Sequence, residues 1–131
     1  MQVMETNRNS KNLNPDSVSF LDILAANAYL SIAEGYYDID TKIEASHHDL
    51  TQSIRQCTKN AIISEVKFAS PSQGIIHTEE DAVSAAKAML KGGAVALSVL
   101  TEPKQFLGSL DNFMKVREAI DLPLLMKDII V

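Results

Sequence analysis

Two spacings of apolar positions alternate along the chain. From Val18 to Glu34, Leu21, Leu24, Ala25, Ala28 and Ile32 recur at helical intervals. Asp16 or Ser17 can cap that helix and Gly35 can stop it. Residues 36–45 read as a connector. Ser46 opens a second predicted helix, with Asp49 as a capping-box-like partner and Leu50, Ile54 and Cys57 on its apolar side. At Ala61 the period changes. AIISEVK (61–67) is short and rich in β-branched residues, and it ends at the turn cluster SPSQG (70–74), so it is predicted to be a strand. Thr78 caps a predicted helix through Lys91, with Glu79, Glu80 and Asp81 in its first turn, where the helix dipole favours acids. Gly92 and Gly93 end it. AVALSVL (94–100) is a second strand. Ser109 opens a helix to about Ile120 with Phe113, Val116 and Ile120 on one face, and PLLMKDIIV (123–131) is a third strand.

The order is helix, helix, then βαβαβ. Each strand-to-strand connection can hold a helix, so the strands are expected to be parallel with right-handed crossovers. Two architectures use that unit, an open doubly wound sheet and a (β/α)8 barrel. The chain divides into a flexible polar leader (1–16), a helical extension (17–60) and the βα region (61–131). It ends at Ile129-Ile130-Val131, in or just after an apolar strand. A parallel sheet of three strands would leave both edges unpaired. The expectation is therefore the N-terminal part of something about twice as long, the alternative being a small domain with an edge strand.

Composition narrows the class. The 131 residues are 46% hydrophobic and 22% charged, a globular balance. A net charge of −5 with scattered Lys and Arg argues against nucleic acid as a partner. One cysteine excludes a disulfide framework and a cysteine-based zinc site. No apolar run approaches the ~20 residues that span a bilayer, so no membrane partner is expected. The N-terminus lacks the apolar segment of a secretory signal. A cytoplasmic location follows as the expectation.

Charge in the wrong place marks the candidate chemistry. Glu65 and Lys67 are two apart and share one face of the first strand, at the end where α/β folds carry their sites. Lys127 repeats the anomaly among Leu124, Leu125, Met126, Ile129 and Ile130. For each, the plain alternative is an ion pair or a gatekeeper lysine on a solvated edge. A lysine held near a second lysine in a partly apolar cavity should have a lowered pKa, which suits acid–base work near neutral pH. Ser70, Pro71 and Ser72 follow the first strand on the same face, where ordinary turn chemistry is the alternative. Phe106 is either a lid residue or a loop anchor. His47 and His48 are neighbours on a helix and do not face one another, so a metal role is not expected. His77 and Cys57 read as structural. No G-x-G-x-x-G or Walker A sequence occurs, which weakens the doubly wound nucleotide-binding option.

At these residues a resemblance enters. SEVKFASPSQG and KGGAVALSVLTEPKQFLGSLDNFMKVREAIDLPLLMKDIIV resemble the indole-3-glycerol-phosphate synthase family. The E-x-K-x-x-S-P-S run, the S-V-L-T-E loop with F-x-G-S, and L-P-x-L-x-K-D carry it. The resemblance implies a (β/α)8 TIM barrel, here as a helical extension plus the first three strands. It implies a phosphorylated small-molecule substrate, 1-(2-carboxyphenylamino)-1-deoxyribulose 5-phosphate, closed to indole-3-glycerol phosphate with loss of carbon dioxide and water. No metal or organic cofactor is implied. Lys127 would be the general acid, Lys67 would bind substrate and assist dehydration, and Glu65 would orient the lysines. Ser70, Pro71 and Ser72 would hold the carboxylate and phosphate region. Leu100 and Phe106 would pack on the anthranilate ring, with Ile129 where the family commonly has an aromatic. Phe68 and Gln73 stand where it often has basic residues. The family's second catalytic carboxylate and main phosphate loops come from later strands. The fragment alone is expected to be inactive and to self-associate through its strand edges. The alternatives are a non-catalytic half-barrel and another sugar-phosphate barrel enzyme, such as a phosphoribosyl isomerase.

Overall fold

The structure, a computed structural model, describes residues 18–40, 42, 45–77 and 81–131. Helix α1 (Phe20–Ala33) begins two residues later than the spacing suggests, because Ser19 is its N-cap. Ser19 accepts from the Asp22 N–H and the Asp22 carboxylate accepts from the Ser19 N–H, a reciprocal capping box. Asp16 and Ser17 lie outside the described residues, as does the 1–16 leader. The buried face of α1 is Leu24, Ala28 and Ser31; Leu21 and Ile32 are exposed, contrary to expectation. Gly35 ends the helix at φ +72°, a left-handed conformation that suits glycine.

Helix α2 (Leu50–Gln56) is also shorter than predicted. Asp49, not Ser46, is its cap, accepting from Gln52 N–H. It buries none of its own residues, and Cys57 is only half-buried rather than a core residue. His47 and His48 precede the helix instead of lying on it. His47 sits 2.9 Å from the Asp121 carboxylate and His48 3.8 Å, which ties this segment to the turn after α4 (Leu110–Ala119).

Strands β1 (Ile63–Val66), β4 (Ala96–Leu100) and β5 (Leu124–Lys127) form a parallel sheet in the order β1-β4-β5. Between β1 and α3 (Ala82–Lys91), the SPSQG turn closes a small antiparallel pair, β2 (Ala69–Ser70) and β3 (Gly74–Ile75), where the residue pattern predicts only a turn. The cap of α3 is Asp81, whose carboxylate accepts from Val83 and Ser84 N–H, so Asp81 precedes the first turn instead of filling it. Thr78, Glu79 and Glu80 lie outside the described residues. Helices α3 and α4 pack on one face of the sheet. Val66, Leu97 and Val99 from the strands meet Ala86 and Val116 from the helices in the core, with Ile120 beside them. Register fixes the other face. Leu97 pairs with Leu124 toward the helices, so Ser98, Leu100, Leu125 and Lys127 point the opposite way, together with Glu65. The sheet is parallel α/β and unclosed. Among the described residues, β1 and β5 each have one unpaired side.

Candidate active site

The three strands run in the same direction, so their C-terminal ends lie together. There the face turned away from α3 and α4 presents charge. Glu65, Lys67, Leu100, Glu102, Phe106, Lys127, Asp128 and Ile129 line one cavity of about 150 Å³. Lys67 Nζ lies 2.8 Å from Glu65 Oε1, with both side chains about one-third exposed. Lys127 makes no ion pair among the described residues. Leu100 is buried and supplies an apolar floor, while Phe106 and Ile129 are half-buried at the wall.

A second depression adjoins the first. Ser70, Pro71, Ser72 and Gln73 line it with Phe20, and Lys67 and Phe106 border both spaces. A cavity of about 150 Å³ is below the ~300 Å³ at which ligand pockets usually begin, so a substrate-sized molecule at the lysines would extend into the adjoining depression of about 470 Å³. Ser70 is also occupied by its own turn, its hydroxyl accepting from Gln73 N–H at 3.2 Å. Pro71 and Ser72 are exposed. The residues expected from the sequence thus fall into two adjoining groups, with Lys67 and Phe106 at the seam.

Several residues behind the cavity were not singled out from the sequence. Thr101 is fully buried. Its N–H donates to the Lys127 carbonyl at 2.9 Å and its hydroxyl to Asp128 Oδ2 at 2.7 Å. It therefore fixes the backbone that carries the Lys127 side chain. Tyr36, from the turn after α1, donates its hydroxyl to the Thr101 carbonyl at 2.7 Å and accepts from Leu110 N–H at 3.0 Å. Burial raises the Tyr36 phenol above its ordinary range. Burial, a hydrogen bond to Asp128 and that residue's charge push Tyr37 further up. The two rings pack edge-on at 4.9 Å. Lys104 adds an ion pair to Glu34 at 3.2 Å. The only sequence sign of these contacts was the T-E and K-D pairs within the quoted runs. Their partners lie up to 74 residues away, which no local spacing reveals.

Among the described residues, no group of three or more His, Cys, Asp or Glu could hold a metal, and no helix is long and apolar enough to cross a membrane. The arrangement offers two amines, one paired with a carboxylate, against an apolar wall at the open end of a parallel sheet.

Known proteins are similar in sequence to this chain. The sequence family described as indole-3-glycerol phosphate synthase matches residues 8–131. The indole-3-glycerol phosphate synthase of Rippkaea orientalis is 53% identical over 74 residues, covering 56% of this chain and 25% of that protein. That of Methanocaldococcus jannaschii is 53% identical over 75 residues, covering 56% of this chain and 28% of its own length. The chain spans about a quarter of the length of the curated relatives it matches. The family is a (β/α)8 barrel family, and the open parallel sheet has the strand order such a barrel requires. This chain belongs to the indole-3-glycerol phosphate synthase family.

Proposed function

We propose that the full-length protein is an indole-3-glycerol phosphate synthase, and that this chain supplies its two catalytic lysines. The observation that carries the reading is the single cavity at the strand ends, where Lys127 and the Lys67–Glu65 pair face Leu100 and Phe106. The substrate would be 1-(2-carboxyphenylamino)-1-deoxyribulose 5-phosphate. Lys127 gives a proton to the sugar carbonyl oxygen as the aryl carbon attacks the carbonyl carbon and forms the ring bond. The aryl carboxyl group leaves as carbon dioxide, its bonding electrons returning to the ring. The hydroxyl, given a second proton, then leaves as water, and the adjacent nitrogen-bearing carbon gives up a proton to a base, so that its C–H electrons form the indole double bond. Lys67 holds the substrate carboxylate and assists that dehydration, and Glu65 keeps its amine aimed at the cavity. Leu100, Phe106 and Ile129 pack on the ring, while Ser70, Pro71 and Ser72 border the polar end.

No metal or organic cofactor enters these steps. The partner is a small phosphorylated molecule, not nucleic acid or membrane, and the location that fits a biosynthetic enzyme with one cysteine is the cytoplasm. The 131-residue chain by itself would lack turnover and would self-associate through its unpaired strand edges. The test is direct: the full-length protein is mixed with the substrate and indole fluorescence is followed. Fluorescence growing with enzyme concentration is expected, and its absence would overturn the reading.

A further inference from the structure

The segment between β4 and α4, residues 101–109, brings Phe106 to the cavity without any helix or strand of its own. Its backbone N–H groups must still find acceptors. Three of them converge on one side chain. Glu102 Oε1 accepts from Lys104 N–H at 3.0 Å, and Oε2 accepts from Gln105 and Phe106 N–H at 2.7 and 2.9 Å. The Glu102 carbonyl accepts from Gly108 N–H at 2.8 Å. Glu102 is only 4% exposed. A buried carboxylate is costly unless donors meet its charge, and here backbone donors meet it. A carboxylate has about four acceptor sites, so three are already filled and little is left for a substrate proton.

The loop has little freedom elsewhere. A Cβ at Gly108 would lie 2.3 Å from the Leu100 carbonyl oxygen, and Leu107 sits at φ +52°, where non-glycine residues are uncommon. We propose that Glu102 is a positioning residue. It gathers the 104–106 N–H groups so that Phe106 stands at the seam of the cavity, and it affects the reaction through Phe106 alone. This rests on the synthase reading above.

The test compares full-length wild type with Glu102→Gln, Phe106→Ala and the double variant. An amide offers one acceptor oxygen where the carboxylate offers two, and its NH2 would face N–H donors. Hydrogen exchange needs no substrate. In Glu102→Gln the amides of 104–106 are expected to exchange about 10–100-fold faster, with β4 still protected. Glu102→Asp keeps both oxygens on a shorter stem and should recover part of that protection; it carries the test if the glutamine variant does not fold. In turnover, Glu102→Gln and Phe106→Ala should each raise KM with little change in kcat, and the double variant should be within about twofold of Phe106→Ala. Unchanged exchange in both Glu102 variants would overturn the inference, as would independent, multiplicative kinetic effects. An inactive wild type would count against the synthase reading instead, and exchange would still decide whether Glu102 orders the loop.

Discussion

Lys67 and Lys127 share a cavity but differ in their company. Lys67 is held 2.8 Å from Glu65, and Lys127 has no carboxylate partner among the described residues. Glu65→Gln should therefore lower kcat/KM by roughly tenfold to a hundredfold, since it frees the Lys67 amine from its aim. Stability should change by less than about 1 kcal/mol, because a pair this exposed contributes little. Steady-state kinetics and a denaturant melt on the same variant read both. Gly108 makes the opposite case. Its substitution by Ala would drive a Cβ to 2.3 Å from the Leu100 carbonyl oxygen, against backbone that cannot swing aside. A loss of about 2–4 kcal/mol is expected, read as a lower denaturant midpoint. The parity of Glu65 and Lys67 was legible in the sequence because a strand alternates its faces. Glu102 was not, because a carboxylate two to four residues before its donors looks like any loop acid until the loop is folded.

At the scale of elements, the turn after α1 acts as a clasp on the β4–α4 loop. One hydroxyl, that of Tyr36, serves the Thr101 carbonyl and the Leu110 N–H together. Tyr36→Phe leaves both groups without that partner and should cost about 1–3 kcal/mol. The clasp is also alkaline-sensitive. The folded chain holds the Tyr36 and Tyr37 phenolic protons more tightly than the unfolded chain does. Their contribution is complete below the unfolded value near 10.0 and falls as pH rises from there through the raised folded values. Tyrosinate absorbance is expected to show these two phenols ionising late, together with release of the turn. Ionisation at the ordinary pH with the turn still docked would contradict this. Helices α3 and α4 and strand β4 were readable from spacing because their partners lie within one βα period. The start of α1 shifted to Ser19 because Asp22 completes a reciprocal cap there. Helix α2 fell short because its apolar side, Leu50 and Ile54, stays exposed and adds no packing to extend it.

At the scale of the molecule, the sheet divides the labour between its faces. Leu97, Val99 and Val66 face the helices and build the core, while the other face carries Glu65, Leu100 and Lys127. On that account Leu97→Ala, at a fully buried site, should cost about 2–5 kcal/mol while sparing the cavity. The edge strands carry Ile63, Leu125 and Met126 exposed, with Ile130 exposed just beyond β5, so the 131-residue chain alone should self-associate. Light scattering at micromolar concentration should report dimers or larger species; a clean, cooperatively folding monomer would contradict the open-edge argument. In the proposed reaction Lys127 supplies the proton for ring closure at the mouth of this sheet. The most direct measurement is the steady-state kinetics of Lys127→Ala in the full-length protein. A fall in kcat of about 10²–10⁴-fold is expected, with a far smaller change in KM. An unchanged kcat would contradict it.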